Sequence, residues 1–103
     1  MARLKIKVPR KKVAEFCREN HIKRMAFFGS VLRDDFRPDS DIDVLVEFEA
    51  GHVPGLAFFT MQEELKHLFG REVDMLTFKG IEGSRNYIRR KAILESARVI
   101  YAA

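Results

Sequence analysis

The chain has 103 residues, 19 Lys and Arg against 15 Asp and Glu, a formal net charge of +4 and a single cysteine. That length supports one modest core, so residues 1–103 are expected to form one domain, too short to add a separate substrate-recognition domain to a catalytic one. One cysteine excludes an internal disulfide, and with no secretory leader and no apolar run of about 18 residues the expected setting is a reducing cytoplasm, away from any membrane.

In chain order, Leu4, Ile6 and Val8 alternate with Arg3, Lys5 and Lys7, as in a charged edge strand or ordered arm. Pro9 starts a helix running to about Glu19, with Val13, Phe16 and Cys17 inward and Asn20 as its stop. Residues 24–28 form a short buried strand ended by Gly29-Ser30, after which Val31, Leu32 and Arg33 open a helical turn. Residues 42–48 form a strand on which Ile42, Val44, Val46 and Phe48 share one face. The run from Glu49 to Gly55 is a loop rich in breakers. From Leu56 to Phe69, Phe58, Met61, Leu65, Leu68 and Phe69 recur at helical spacing, and Gly70 stops the helix. A strand from Glu72 to Thr77, a helix from about Gly83 to Ser96 and a last strand from Arg98 to Tyr101 complete an α+β pattern without repeats or linkers.

Charge is uneven along the chain. Arg3, Lys5, Lys7, Arg10, Lys11 and Lys12 crowd the start and Arg85, Arg89, Arg90 and Lys91 the end, whereas residues 38–78 hold only Lys66 and Arg71 as cations. Basic ends could grip nucleic-acid phosphates, but aromatic residues hardly interleave with either cluster, so solvated helix faces or a grip on an acidic partner are the favoured readings.

The most specific chemistry lies between these ends. Asp41 and Asp43 project from the strand face opposite Ile42 and Val44. At about 6–7 Å between their Cα atoms they can converge on one metal or bridge two. Hard oxygen ligands of this kind suit Mg²⁺, which completes its shell with water and phosphate oxygens. Upstream, Gly29 allows close approach of a phosphate to the main chain, Ser30 supplies a hydroxyl, the following helical turn offers N–H groups, and Arg33 is within reach of the same phosphates. Ser40-x-x-Asp43 also fits a helix capping box, but a β-branched strand pattern follows it instead of a helical one. Glu47 shares the aspartate face two pleats on and is given a structural or supporting role. His21, His52 and His67 fall near a helix end, in a loop and on an exposed helix face; no ligand set links them, and each is expected at the surface.

Residues 28–48, F-G-S-V-L-R-D-D-F-R-P-D-S-D-I-D-V-L-V-E-F, resemble the signature of the minimal nucleotidyltransferases, small members of the DNA polymerase β-like superfamily. The resemblance implies a small nucleotidyltransferase fold, a mixed β-sheet flanked by helices, and a third acidic residue on a later strand, the position held by Asp74 in Val73-Asp74-Met75-Leu76. It further implies Asp41, Asp43 and Asp74 as catalytic and metal-binding residues for two Mg²⁺ ions, with Mn²⁺ as an alternative, and Asp74 as an aid in deprotonating or orienting the acceptor. Gly29, Ser30 and Arg33 are then the nucleotide-binding residues. The implied activity is transfer of AMP, or another nucleoside monophosphate, from ATP or another triphosphate to an acceptor hydroxyl. Because the family is commonly paired with HEPN-domain toxins, the implied acceptor is a tyrosine of an all-helical HEPN-type partner and the implied role that of an antitoxin. The alternative is a binding module that neutralises or completes such a partner by contact, with little catalysis.

Overall fold

The computed structural model describes residues 8–29 and 41–103. Helix α1 (Arg10–Glu19) buries Val13, Phe16 and Cys17, which fall on one stripe at helical spacing. Asn20 closes it by donating from both its backbone N–H (3.1 Å) and its Nδ2 (2.8 Å) to the Phe16 carbonyl. Strand β1 (Ile22–Phe28) follows, beginning two residues before the expected segment, and β2 (Ile42–Phe48) matches its expected bounds. The remaining elements are α2 (Ala57–Phe69), β3 (Val73–Thr77), α3 (Phe78–Glu82), α4 (Tyr87–Ser96) and β4 (Arg98–Ala102). The expected strand character of residues 4–6 and helical turn at residues 31–33 lie outside the described residues; Val8 packs against the core.

The strands form a mixed sheet in the order β3-β2-β1-β4, with β1 antiparallel to β2 and β4, and β2 parallel to β3. A parallel pair needs a crossover, and α2 is that crossover. Gly70, at φ 69°, ends α2 in the left-handed conformation and donates to the Lys66 carbonyl at 2.8 Å. Lys66 Nζ lies 2.9 Å from Glu72 Oε2 and 3.4 Å from Glu63 Oε1, so the end of α2 is tied to the start of β3, and the Glu72 carboxylate pushes the lysine pKa up.

Two apolar clusters enclose the sheet. On one face α1 and α2 pack Phe16, Cys17, Met61 and Leu65 against Met25, Phe27, Val44, Val46 and Met75. On the other, Phe78 and Ile81 of α3 and Ile93 of α4 cover Ala26, Phe28 and Leu45. The aspartate-bearing face of β2 is therefore not polar throughout: Val44, Leu45 and Val46 are consecutive and all buried, as in a strand covered on both sides.

The helix expected from about Gly83 to Ser96 begins later, at Tyr87, and a separate short helix, α3, precedes Gly83. Alpha-helix α3 was not foreseen, being short and holding Gly80, but Thr77 Oγ1 caps it by accepting from the Gly80 N–H at 2.9 Å. Gly83 ends α3, and α4 starts only at Tyr87, where Asn86 Oδ1 accepts from the Arg89 N–H at 3.0 Å. Among the described residues, no helix is long and apolar enough to cross a membrane.

Candidate active site

Gly29 stands at the end of β1 with φ +77°, a conformation that side chains with a Cβ rarely adopt. Phe28 is the antiparallel partner of Asp43, so Gly29 abuts that aspartate. A Cβ at Gly29 would overlap Asp43 Oδ2 and sit 3.3 Å from its Cγ. The glycine is thus required twice, by its own backbone and by the carboxylate beside it.

The parallel register pairs Asp43 of β2 with Asp74 of β3. Partners on neighbouring strands project from the same face with backbones about 4.8 Å apart, so the two aspartates leave the sheet on the same side. Asp41 immediately precedes β2 on the same face as Asp43, by the two-residue period of the strand. Asp43 is half-buried, while Asp41 and Asp74 are exposed at the sheet's end. The structure thus brings Gly29, Asp41, Asp43 and Asp74 to one end of the sheet. Ser30 and Arg33 lie outside the described residues.

An all-oxygen set open to solvent on one side fits a divalent ion that keeps part of its shell for phosphate oxygens. Asp41, Asp43 and Asp74 are therefore a donor set that could hold such an ion. The absence of a Cβ at Gly29 lets the Asp43 carboxylate lie against the main chain at the end of β1.

Other groups fall into place around this end. Glu47 is engaged elsewhere: its Oε1 lies 3.1 Å from Arg24 Nε, and the Arg24 guanidinium stands 3.9 Å above the Phe78 ring. Cys17 is fully buried, and burial pushes its thiol from 9.0 up to about 12, so it is no nucleophile. Sequence reasoning did miss one cluster. His21 and His52, read singly as surface residues, are exposed but come together beside Glu49. Their separation along the chain left no local spacing that could have revealed it.

A family model described as a nucleotidyltransferase domain matches residues 10–100. The chain belongs to the nucleotidyltransferase domain family. Nucleotidyltransferases generally use divalent metal, in keeping with the acidic end of the sheet. One relative, a Methanocaldococcus jannaschii protein named as a candidate protein adenylyltransferase, is 36% identical over 72 residues, which are 70% of this chain and 76% of that one. A solved structure described as a candidate minimal nucleotidyltransferase is 33% identical, with a TM-score of 0.65 and 85% of each chain covered. A chain in the complex of a tri-AMPylated Shewanella oneidensis HEPN toxin with an MNT antitoxin has the same fold at 18% identity, with a TM-score of 0.62 over 91% of this nucleotidyltransferase and 70% of that chain.

Proposed function

We propose that this nucleotidyltransferase is a protein adenylyltransferase that moves AMP from ATP to a tyrosine hydroxyl of a HEPN-type partner and thereby acts as its antitoxin, with residues 1–103 as one catalytic domain. What carries the reading is the adjacency of Asp43 and Asp74 across the parallel strands, beside a glycine whose missing Cβ makes room for the Asp43 carboxylate. The similarity to a relative named for protein adenylylation, and to a chain found with an AMPylated HEPN toxin, supports the choice of AMP and of partner.

Asp41, Asp43 and Asp74 would hold two Mg²⁺ ions, or Mn²⁺ in their place. When bound, those ions neutralise the charge that builds on the reacting phosphate and on the leaving pyrophosphate. Gly29 and Ser30 hold the terminal phosphates through backbone N–H groups and the Ser30 hydroxyl, and Arg33 adds a guanidinium. The acceptor oxygen attacks the α-phosphorus; a new O–P bond forms as the bond to the bridging oxygen breaks, and pyrophosphate leaves. The proton of the acceptor hydroxyl passes to an Asp74 carboxylate oxygen, which the exposure of Asp74 leaves open to an incoming protein surface.

The test uses substoichiometric protein with a HEPN-type partner, ATP and Mg²⁺, and intact-mass measurement of the partner. A gain of AMP on most partner molecules, abolished by Asp74→Asn with partner binding retained, is the expected result. Neutralisation of the partner by Asp41→Asn and Asp74→Asn proteins as fully as by the parent, with no mass gain in any sample, overturns it in favour of a binding module.

A further inference from the structure

His21 follows the end of α1, Glu49 follows β2, and His52 lies in the loop leading to α2. One ligand atom from each falls within 4.8 Å of the others, and all three residues are exposed. His21 Nδ1 is 3.9 Å from Glu49 Oε2, and the two imidazoles stack with centroids 3.9 Å apart at 11°. The main chain holds them in register: the Glu49 N–H donates to the His21 carbonyl at 2.8 Å, and the His52 N–H to the Glu49 carbonyl at 3.0 Å. His21 also sits at φ 56°, which among the described non-glycine residues it alone does, and that backbone turns its ring toward the loop.

We propose that His21, Glu49 and His52 form a site for a single divalent transition ion, Zn²⁺ foremost, separate from the aspartates. Two imidazole nitrogens and one carboxylate are a zinc donor set that leaves a fourth position for water. Donors about 2.0–2.1 Å from a tetrahedral ion stand about 3.4 Å apart, and because imidazole lone pairs lie in the ring planes, the two stacked rings must swing out of parallel to converge on the ion, a movement that their exposure permits. Mg²⁺ is disfavoured here because it prefers oxygen ligands. Glu49 lies six residues past Asp43 along β2, about 20 Å away, so the two sites load independently. A bound ion staples the loop that carries His52 to the turn before β1. That loop, through Gly51, His52 and Pro54, walls a cleft of about 510 Å³ whose other side is Phe78, Lys79 and Glu82 of α3.

The experiment titrates the untagged full chain with ZnCl₂ by calorimetry and with CoCl₂ by visible absorption. The parent should bind one ion per chain tightly and melt at higher temperature with Zn²⁺. His52→Ala and Glu49→Gln should each weaken this tight binding about tenfold or more, whereas His67→Ala should bind as the parent does and the Asp41→Asn, Asp43→Asn double variant should lose only weaker, additional binding and keep the tight site. His52 is an exposed loop residue, and circular dichroism checks its variant; Glu49→Gln keeps the side chain's shape and decides if His52→Ala does not fold. Absence of stoichiometric binding by the parent, retention of it by Glu49→Gln and His52→Ala, or its loss on changing the aspartates or His67 overturns the site.

Discussion

At the scale of single residues, Gly29 and Asp43 are one unit. By sequence alone Gly29 allows a phosphate close to the main chain; in the structure any Cβ there meets the Asp43 carboxylate first. Gly29→Ala should therefore lose about 1–2 kcal/mol of stability by urea denaturation, the cost of a left-handed residue with a Cβ. It should also lower nucleotidyl transfer about a hundredfold, as displacement of a positioned group does. A destabilised variant with full transfer would restrict Gly29 to a backbone role. Asp74 contrasts with it, being exposed, so Asp74→Asn should leave the unfolding free energy from urea denaturation within about 0.5 kcal/mol of the parent while transfer is lost. Cys17 is sealed in the core and should react with a thiol reagent at pH 8 only when denaturant is added.

Among elements, the short helix α3 has consequences beyond its length. It covers Leu45 and Phe28, and through Phe78 it supports Arg24, which in turn holds Glu47. Its start depends on the Thr77 hydroxyl, so Thr77→Ala should cost about 1 kcal/mol in chemical denaturation. Leu65 of α2 is fully buried against the other sheet face, and Leu65→Ala should cost about 2–5 kcal/mol. The carboxyl-terminal basic cluster also proves partly structural. Arg90 donates to the Ser84 carbonyl at 3.0 Å and stands 5.4 Å from the centre of the Tyr87 ring, locking the turn between α3 and α4, whereas Arg85, Arg89 and Lys91 are exposed.

For the molecule as a whole, the sealed core makes stability depend on pH at the alkaline end. The folded chain keeps the Cys17 proton up to about 12, while the unfolded thiol releases it near 9.0. The stabilisation from this group is thus complete below pH 9 and is lost as pH rises toward 12. The stability gap between the parent and Cys17→Ala should narrow between pH 8 and pH 11, a difference in which the titration of lysines and tyrosines cancels. A constant gap across that range would mean that the thiol is not held neutral by burial.

Local pattern was enough for much of this protein. The three-residue stripe of Val13, Phe16 and Cys17, the β-branched run after Asp41, and the glycine after Phe69 each reflect forces between near neighbours in the chain, so helix, strand and stop were legible without knowing what they pack against. The pairing of Asp41 with Asp43 was legible for the same reason, since the strand period alone sets it. Tertiary structure decided whatever depended on register between distant segments. The parallel pairing of β2 with β3 sets Asp74 beside Asp43, the antiparallel pairing of β1 with β2 presses Gly29 against the same carboxylate, and the fold of the loop after β2 brings His52 to His21. Leu45, lying among polar neighbours on its face, is buried only because α3 and α4 return over it, and no local period encodes that return.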